Sequence, residues 1–117
     1  MVVDDELNMA GMLHDFLSTY GAQVESFTDS TLALETFTQH TDNYDLVITD
    51  ETMLNMSGML FAEKLLHIKP GLPIILCTGY SEHANTESVS KIGIAGFFRK
   101  PLNMHELVQY IQTLLKK

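Results

Sequence analysis

Five short apolar runs, at residues 1–3, 22–27, 45–50, 74–77 and 96–98, alternate along this chain with longer stretches whose apolar positions recur every three or four residues. The short runs have the length and near-continuous hydrophobicity of strands buried on both faces, and the longer stretches have the period of amphipathic helices. In the first helix Met9, Leu13, Phe16, Leu17 and Tyr20 share one face, and Gly21 ends it. Asp29 or Ser30 caps a second helix that runs to about His40, and Ser57-Gly58 opens a third that stops before Pro70. Pro70-Gly71 and Pro73 turn the chain into the fourth strand. A fourth helix, over residues 81–92, has only Ala84, Val89 and Ile92 to dock it, and is expected to be the least anchored. The last helix carries a regular stripe of Met104, Leu107, Val108, Ile111, Leu114 and Leu115.

Strands alternating with helices imply a parallel sheet with right-handed crossovers, packed as a three-layer α/β/α sandwich. A chain of 117 residues has the length of one domain, spanning 1–117. No apolar stretch approaches the ~20 residues needed to span a bilayer, and no leader pattern opens the chain, so a cytoplasmic location is expected. The single cysteine, Cys77, cannot form an internal disulfide and reads as a small buried hydrophobe. A formal charge of -8 opposes contact with a nucleic-acid backbone.

The candidate chemistry collects where strands end. Asp4 and Asp5 follow the first strand, Asp50 closes the third, Thr78 follows the fourth and Lys100-Pro101 follows the fifth. Three carboxylates at neighbouring strand mouths repel one another unless a cation sits between them, most simply a divalent metal. Taken singly, Asp4 or Asp5 would serve equally well as a helix cap, Thr78 as a turn residue and Lys100 as a solvated charge; their coincidence argues against those readings. The five histidines are scattered without an i, i+4 pair, which disfavours a zinc site.

In this order and spacing, Asp4-Asp5, Asp50, Thr78 and Lys100-Pro101 resemble the receiver domain of two-component response regulators. The resemblance implies a flavodoxin-like five-stranded parallel sheet in the order 2-1-3-4-5. It makes Asp50 the phosphoacceptor, taking its phosphoryl group from a phosphohistidine on a sensor histidine kinase or histidine phosphotransfer domain. It also implies Mg2+ as cofactor, with Mn2+ as a substitute, held by Asp5, Asp50, the Thr52 backbone carbonyl and, through water, Asp4. Lys100 and Thr78 would hold phosphoryl oxygens, and backbone N–H groups near Glu51 and Gly79 would complete the cradle. The Lys100–Pro101 bond would be cis. Thr78 and Phe97 would form the conformational switch, with the readout at the fourth helix, fifth strand and fifth helix; that face would also serve any weak homodimer. Thr52 and Tyr80 would flank the path of hydrolytic water, and as neither is a good general base, slow self-hydrolysis is expected. Such a domain phosphorylates and dephosphorylates itself without being a turnover enzyme.

The pattern departs from the family after Asp50. Leu54 stands where most relatives have proline, which loosens the loop, and Ser57 stands where most have aspartate. The 76–82 and 97–102 segments look like receivers of hybrid sensor histidine kinases, whose parent would be a membrane-bound transferase with this domain on the cytoplasmic side. The main alternative is a pseudo-receiver, an interaction module without phosphorylation, but that would be expected to lack one of Asp5, Asp50, Thr78 or Lys100.

Overall fold

The computed structural model describes residues 1–79 and 90–115. Five strands form one parallel sheet: β1 (Val2–Val3), β2 (Ser26–Phe27), β3 (Val47–Asp50), β4 (Ile74–Thr78) and β5 (Gly96–Arg99), in the order β2-β1-β3-β4-β5. Helices α1 (Leu7–Ser18), α2 (Ser30–Gln39) and α3 (Gly58–Ile68) and a C-terminal helix (Met104–Leu115) complete the described elements, with a 3-10 turn over Thr41–Asn43. Most of the helix expected over 81–92 lies outside the described residues; Ser90 to Ile92 are helical.

The period-2 alternation of the strands divides the core into two. Val3, Val47, Ile74 and Leu76 face one way and pack with Ala33, Phe37, Phe61, Ala62 and Leu65 of α2 and α3. Val2, Ile48, Ile75 and Cys77 face the other way and pack with Leu13 and Leu17 of α1 and with Leu107 and Val108 of the C-terminal helix. Cys77 is buried, as its apolar surroundings suggested.

The helix caps follow the sequence. Asp29 accepts a hydrogen bond from the Thr31 N–H, Ser57 from the Leu60 N–H, and Asn103 from the Glu106 N–H. Gly21 and Gly71 take positive φ values of 87° and 86°, which a glycine adopts without steric cost.

Strand lengths are where the pattern overreached. The second strand was expected over 22–27, but only Ser26 and Phe27 pair; β2 lies at the sheet edge, with β1 as its one partner, and polar Gln23 and Glu25 gain nothing from burial there. Similarly, β1 begins at Val2 and β3 at Val47, after the exposed Asp45. Two apolar positions also fall off their faces. Tyr20 is exposed, its ring 5.5 Å from that of Phe16, and Leu115 is exposed at the last described residue of its helix.

Candidate functional site

All five strands point their carboxyl ends to one edge, and the strand order reverses between β1 and β3, which opens a crevice there. Asp4 follows β1, Asp50 ends β3, Thr78 ends β4 and Lys100 follows β5. Asp50 is in register with Cys77, so Thr78 stands one residue beyond it on the adjacent strand. The Lys100 N–H donates to the Thr78 carbonyl at 2.7 Å and so extends the β4–β5 ladder to the lysine. The Lys100–Pro101 peptide is cis.

Carboxylate oxygens of Asp4, Asp5 and Asp50 lie within 4.8 Å of one another. Asp4 and Asp50 are buried, while Asp5 is exposed at the mouth. Lys100 Nζ bridges the two buried acids, 2.9 Å from Asp50 Oδ1 and 3.4 Å from Asp4 Oδ2. One ammonium thus offsets part of a charge that three clustered carboxylates could not otherwise sustain. This donor set of hard oxygens fits Mg2+, which favours carboxylate, carbonyl and water ligands. Thr52, whose carbonyl the family resemblance assigns to the metal, lies exposed two residues after Asp50.

Asp4 also takes a local role. Its Oδ1 accepts a hydrogen bond from the Glu6 N–H at 2.9 Å, fixing the turn into α1, while Glu6 at the helix cap makes no side-chain capping bond of its own. The metal-ligand and turn-forming readings of Asp4 are therefore compatible.

Burial pushes the Asp4 carboxyl above its ordinary value of 3.8; the Glu6 N–H and the Lys100 charge pull it back without restoring it. The folded protein therefore holds a proton on Asp4 more readily than the unfolded chain does. Its contribution to stability falls as pH rises from about 3.8 through the raised folded value. For Lys100, burial opposes the ammonium, but the hydrogen bond to Asp50 and the charges of Asp4 and Asp50 outweigh it and lift the pKa above 10.5. That contribution is complete below 10.5 and is lost as pH climbs through the folded value. Asp4→Asn keeps the Oδ1 acceptor and removes the buried charge. In EDTA it should raise the melting temperature by a few degrees at pH 7 and by less near pH 4; a fall at pH 7 would mean that the contact with Lys100 outweighs burial.

Thr78 is fully buried, and its Oγ1 finds no hydrogen-bond partner among the described residues. A buried hydroxyl in that state costs about 1–3 kcal/mol, which an anionic oxygen arriving in the crevice would relieve. The Glu51 N–H, by contrast, is engaged: it donates to the Cys77 carbonyl at 2.9 Å and continues the β3–β4 ladder. Gly79, half-buried beyond Thr78, remains as the other proposed backbone donor. Phe97 is half-buried on the face shared by Leu76 and Thr78, with the Arg99 guanidinium 5.5 Å from its ring centroid. Tyr80 lies outside the described residues.

Two residues named in the sequence have framework roles that it did not reveal. Gly58 brings the start of α3 so close that a Cβ there would lie 2.1 Å from the Asp50 carbonyl oxygen. Glu51 uses Oε1 to accept the Met59 N–H at 2.9 Å, so the residue after Asp50 caps α3 from outside. A glycine one residue after the Ser57 cap was the visible signal for the first; the second had none.

Fold and site together define a doubly wound α/β domain with a lysine-bridged acidic cluster at the switch point of its sheet. The family model for the response regulator receiver domain matches residues 1–112. The chain belongs to that family. A receiver domain protein from Clostridium thermocellum has 30% identity and a TM-score of 0.92, over 97% of this chain and 90% of that one. The response regulator TrrA from Thermotoga maritima, solved in complex with Mg2+-BeF, has 32% identity and a TM-score of 0.84, over 97% and 96%. Among curated proteins, the C4-dicarboxylate transport transcriptional regulatory protein DctD of Rhizobium meliloti is 31% identical over 92% of this chain and 23% of its own length. The transcriptional regulatory protein RprY of Bacteroides fragilis is 25% identical over 100% of this chain and 49% of its own length. The chain thus spans between about a quarter and a half of these curated relatives.

Proposed function

We propose that this domain is a working phosphoacceptor: Asp50 attacks the phosphorus of a phosphohistidine on a sensor kinase or phosphotransfer domain, in the cytoplasm, and carries the group as an aspartyl phosphate. The observation that carries this reading is the Lys100 ammonium 2.9 Å from a buried Asp50 carboxylate, with the buried Thr78 hydroxyl, without a partner among the described residues, on the adjoining strand end. An ion pair serving stability alone would not need a buried hydroxyl beside it that finds no acceptor among the described residues.

Asp50 supplies the nucleophilic oxygen and the histidine nitrogen leaves with the bonding pair. Asp5, Asp50, the Thr52 carbonyl and, through water, Asp4 would hold Mg2+, which when bound offsets the charge of the acids and of the phosphoryl oxygens. Lys100 and Thr78 would each bind one phosphoryl oxygen, with Gly79 N–H a further donor. The placement of Phe97 on the face of Thr78 supports a switch in which the hydroxyl moves to the phosphoryl group and the ring follows it. Presence of all four of Asp5, Asp50, Thr78 and Lys100 weighs against a pseudo-receiver. The two curated relatives named above are transcriptional regulatory proteins, which favours such a parent over a hybrid kinase. Among the described residues no helix is long and apolar enough to cross a membrane.

Incubation with acetyl phosphate followed by intact-mass measurement tests the reading. One phosphoryl group should be gained with Mg2+ and none with EDTA; no gain with Mg2+ would favour the pseudo-receiver.

A further inference from the structure

The loop from Glu51 to Ser57 carries the Thr52 carbonyl and lacks the proline that would stiffen it, since Leu54 stands there and is 93% exposed. Its two ends are tied by the Glu51 and Gly58 backbone bonds and by the Ser57 cap. Its middle is tied from a different part of the fold. Asn55 Nδ2 donates to Asp29 Oδ1 at 2.9 Å, and the Ser30 hydroxyl donates to the Met56 carbonyl at 3.1 Å, while Met53 sinks into the core. Asp29 and Ser30 form the corner between β2 and α2, where Asp29 already caps the helix. Ser30 is 1% exposed, so its hydroxyl would be costly to bury without the Met56 carbonyl as its acceptor.

We propose that Ser30 and the Asp29–Asn55 pair are positioning residues for the Mg2+ site. They clasp the loop after Asp50 to the α2 corner and so hold the Thr52 carbonyl where a metal ligand is needed. The proposal rests on the phosphoacceptor reading above. Without the clasp the loop would sample other conformations, and the binding-competent fraction, and with it the apparent Mg2+ affinity, would fall. The chemistry at Asp50 would be unaffected once metal is bound. A clasp formed by side chains from another element does the work that a fixed φ at position 54 would do in a proline-bearing loop.

The test is titration of the metal-free protein with Mg2+ alone by calorimetry, with thermal unfolding in EDTA alongside, for wild type, Asn55→Ala, Ser30→Ala and the double variant. Asn55 is exposed, so its variant remains readable if the buried Ser30 site proves costly to fold. Each hydrogen bond is expected to be worth about a threefold rise in the Mg2+ dissociation constant, and both together about tenfold. At saturating Mg2+, the rate of phosphorylation by acetyl phosphate should stay within about twofold of wild type. The swap Asp29→Asn with Asn55→Asp, which restores a hydrogen bond, an α2 cap and the net charge, should recover most of the lost affinity. An unchanged dissociation constant in Asn55→Ala, whatever the melting temperature does, overturns the proposal. A wild type that binds no Mg2+ overturns the phosphoacceptor reading beneath it as well.

Discussion

Lys100→Met should slow phosphorylation of Asp50 by about 10²–10³-fold at saturating Mg2+, the usual loss when one preorganised charged donor is removed from a developing anion. The same substitution should tighten Mg2+ binding. The Lys100 ammonium sits 2.9 Å from Asp50 and 3.4 Å from Asp4, in the space between carboxylates that a divalent ion would claim. A unit-charge pair near 4 Å is worth about 4 kcal/mol at an effective dielectric of 20. The lysine side chain is 24% exposed, so a part of that survives solvent screening, and a fivefold to tenfold fall in the dissociation constant is the expected size. Methionine retains the length and apolar stem, which confines the change to the charge. Affinity and rate moving in opposite directions would separate this role from simple loss of folding; an unchanged rate would remove Lys100 from the phosphoryl site.

Gly58→Ala adds one methyl group and should nonetheless lower the unfolding free energy by about 3 kcal/mol, measured by urea denaturation. The added carbon would sit 2.1 Å from the Asp50 carbonyl oxygen, 2.9 Å from its carbonyl carbon and 2.8 Å from Leu76 Cδ1. Leu76 could turn aside, but the Asp50 backbone is held in the β3–β4 ladder and Gly58 itself donates to the Glu51 carbonyl at 2.8 Å. The greater helix propensity of alanine returns at most about 1 kcal/mol. Relief must come from α3 moving away from β3 or from Asp50 moving, so phosphorylation should fall together with stability. Stability equal to wild type would show that the start of α3 is freer than the close approach implies.

The ends of strands were the most legible part of the chain, because an acid, hydroxyl or amine after an apolar run is both a pattern and a placement. Asp29 and Ser57 were equally readable as caps, since their chemistry is local. The sheet order β2-β1-β3-β4-β5 could not come from periodicity, which is blind to which strands are neighbours; it came with the family resemblance and stands in the structure. What the residues did not disclose depends on distance across the fold. Asn55 and Asp29 are 26 positions apart, and nothing in either residue's neighbourhood says that they meet. The Glu51 N–H looked available for a phosphoryl group because its ladder partner, the Cys77 carbonyl, is set by the register of β3 on β4. Tyr20 and Leu115 matched their stripes in spacing but are exposed, Tyr20 because α1 has already ended at Ser18.

The central claim is that Asp50 is the residue that carries the phosphoryl group, and chemical trapping tests it most directly. Protein phosphorylated with Mg2+ and acetyl phosphate is reduced with borohydride, which converts an aspartyl phosphate to homoserine, and is then mapped by peptide mass spectrometry. Homoserine at position 50, and at neither Asp4 nor Asp5, is the predicted result. Intact Asp50 in protein that has gained a phosphoryl mass, or homoserine at another aspartate, would contradict the account.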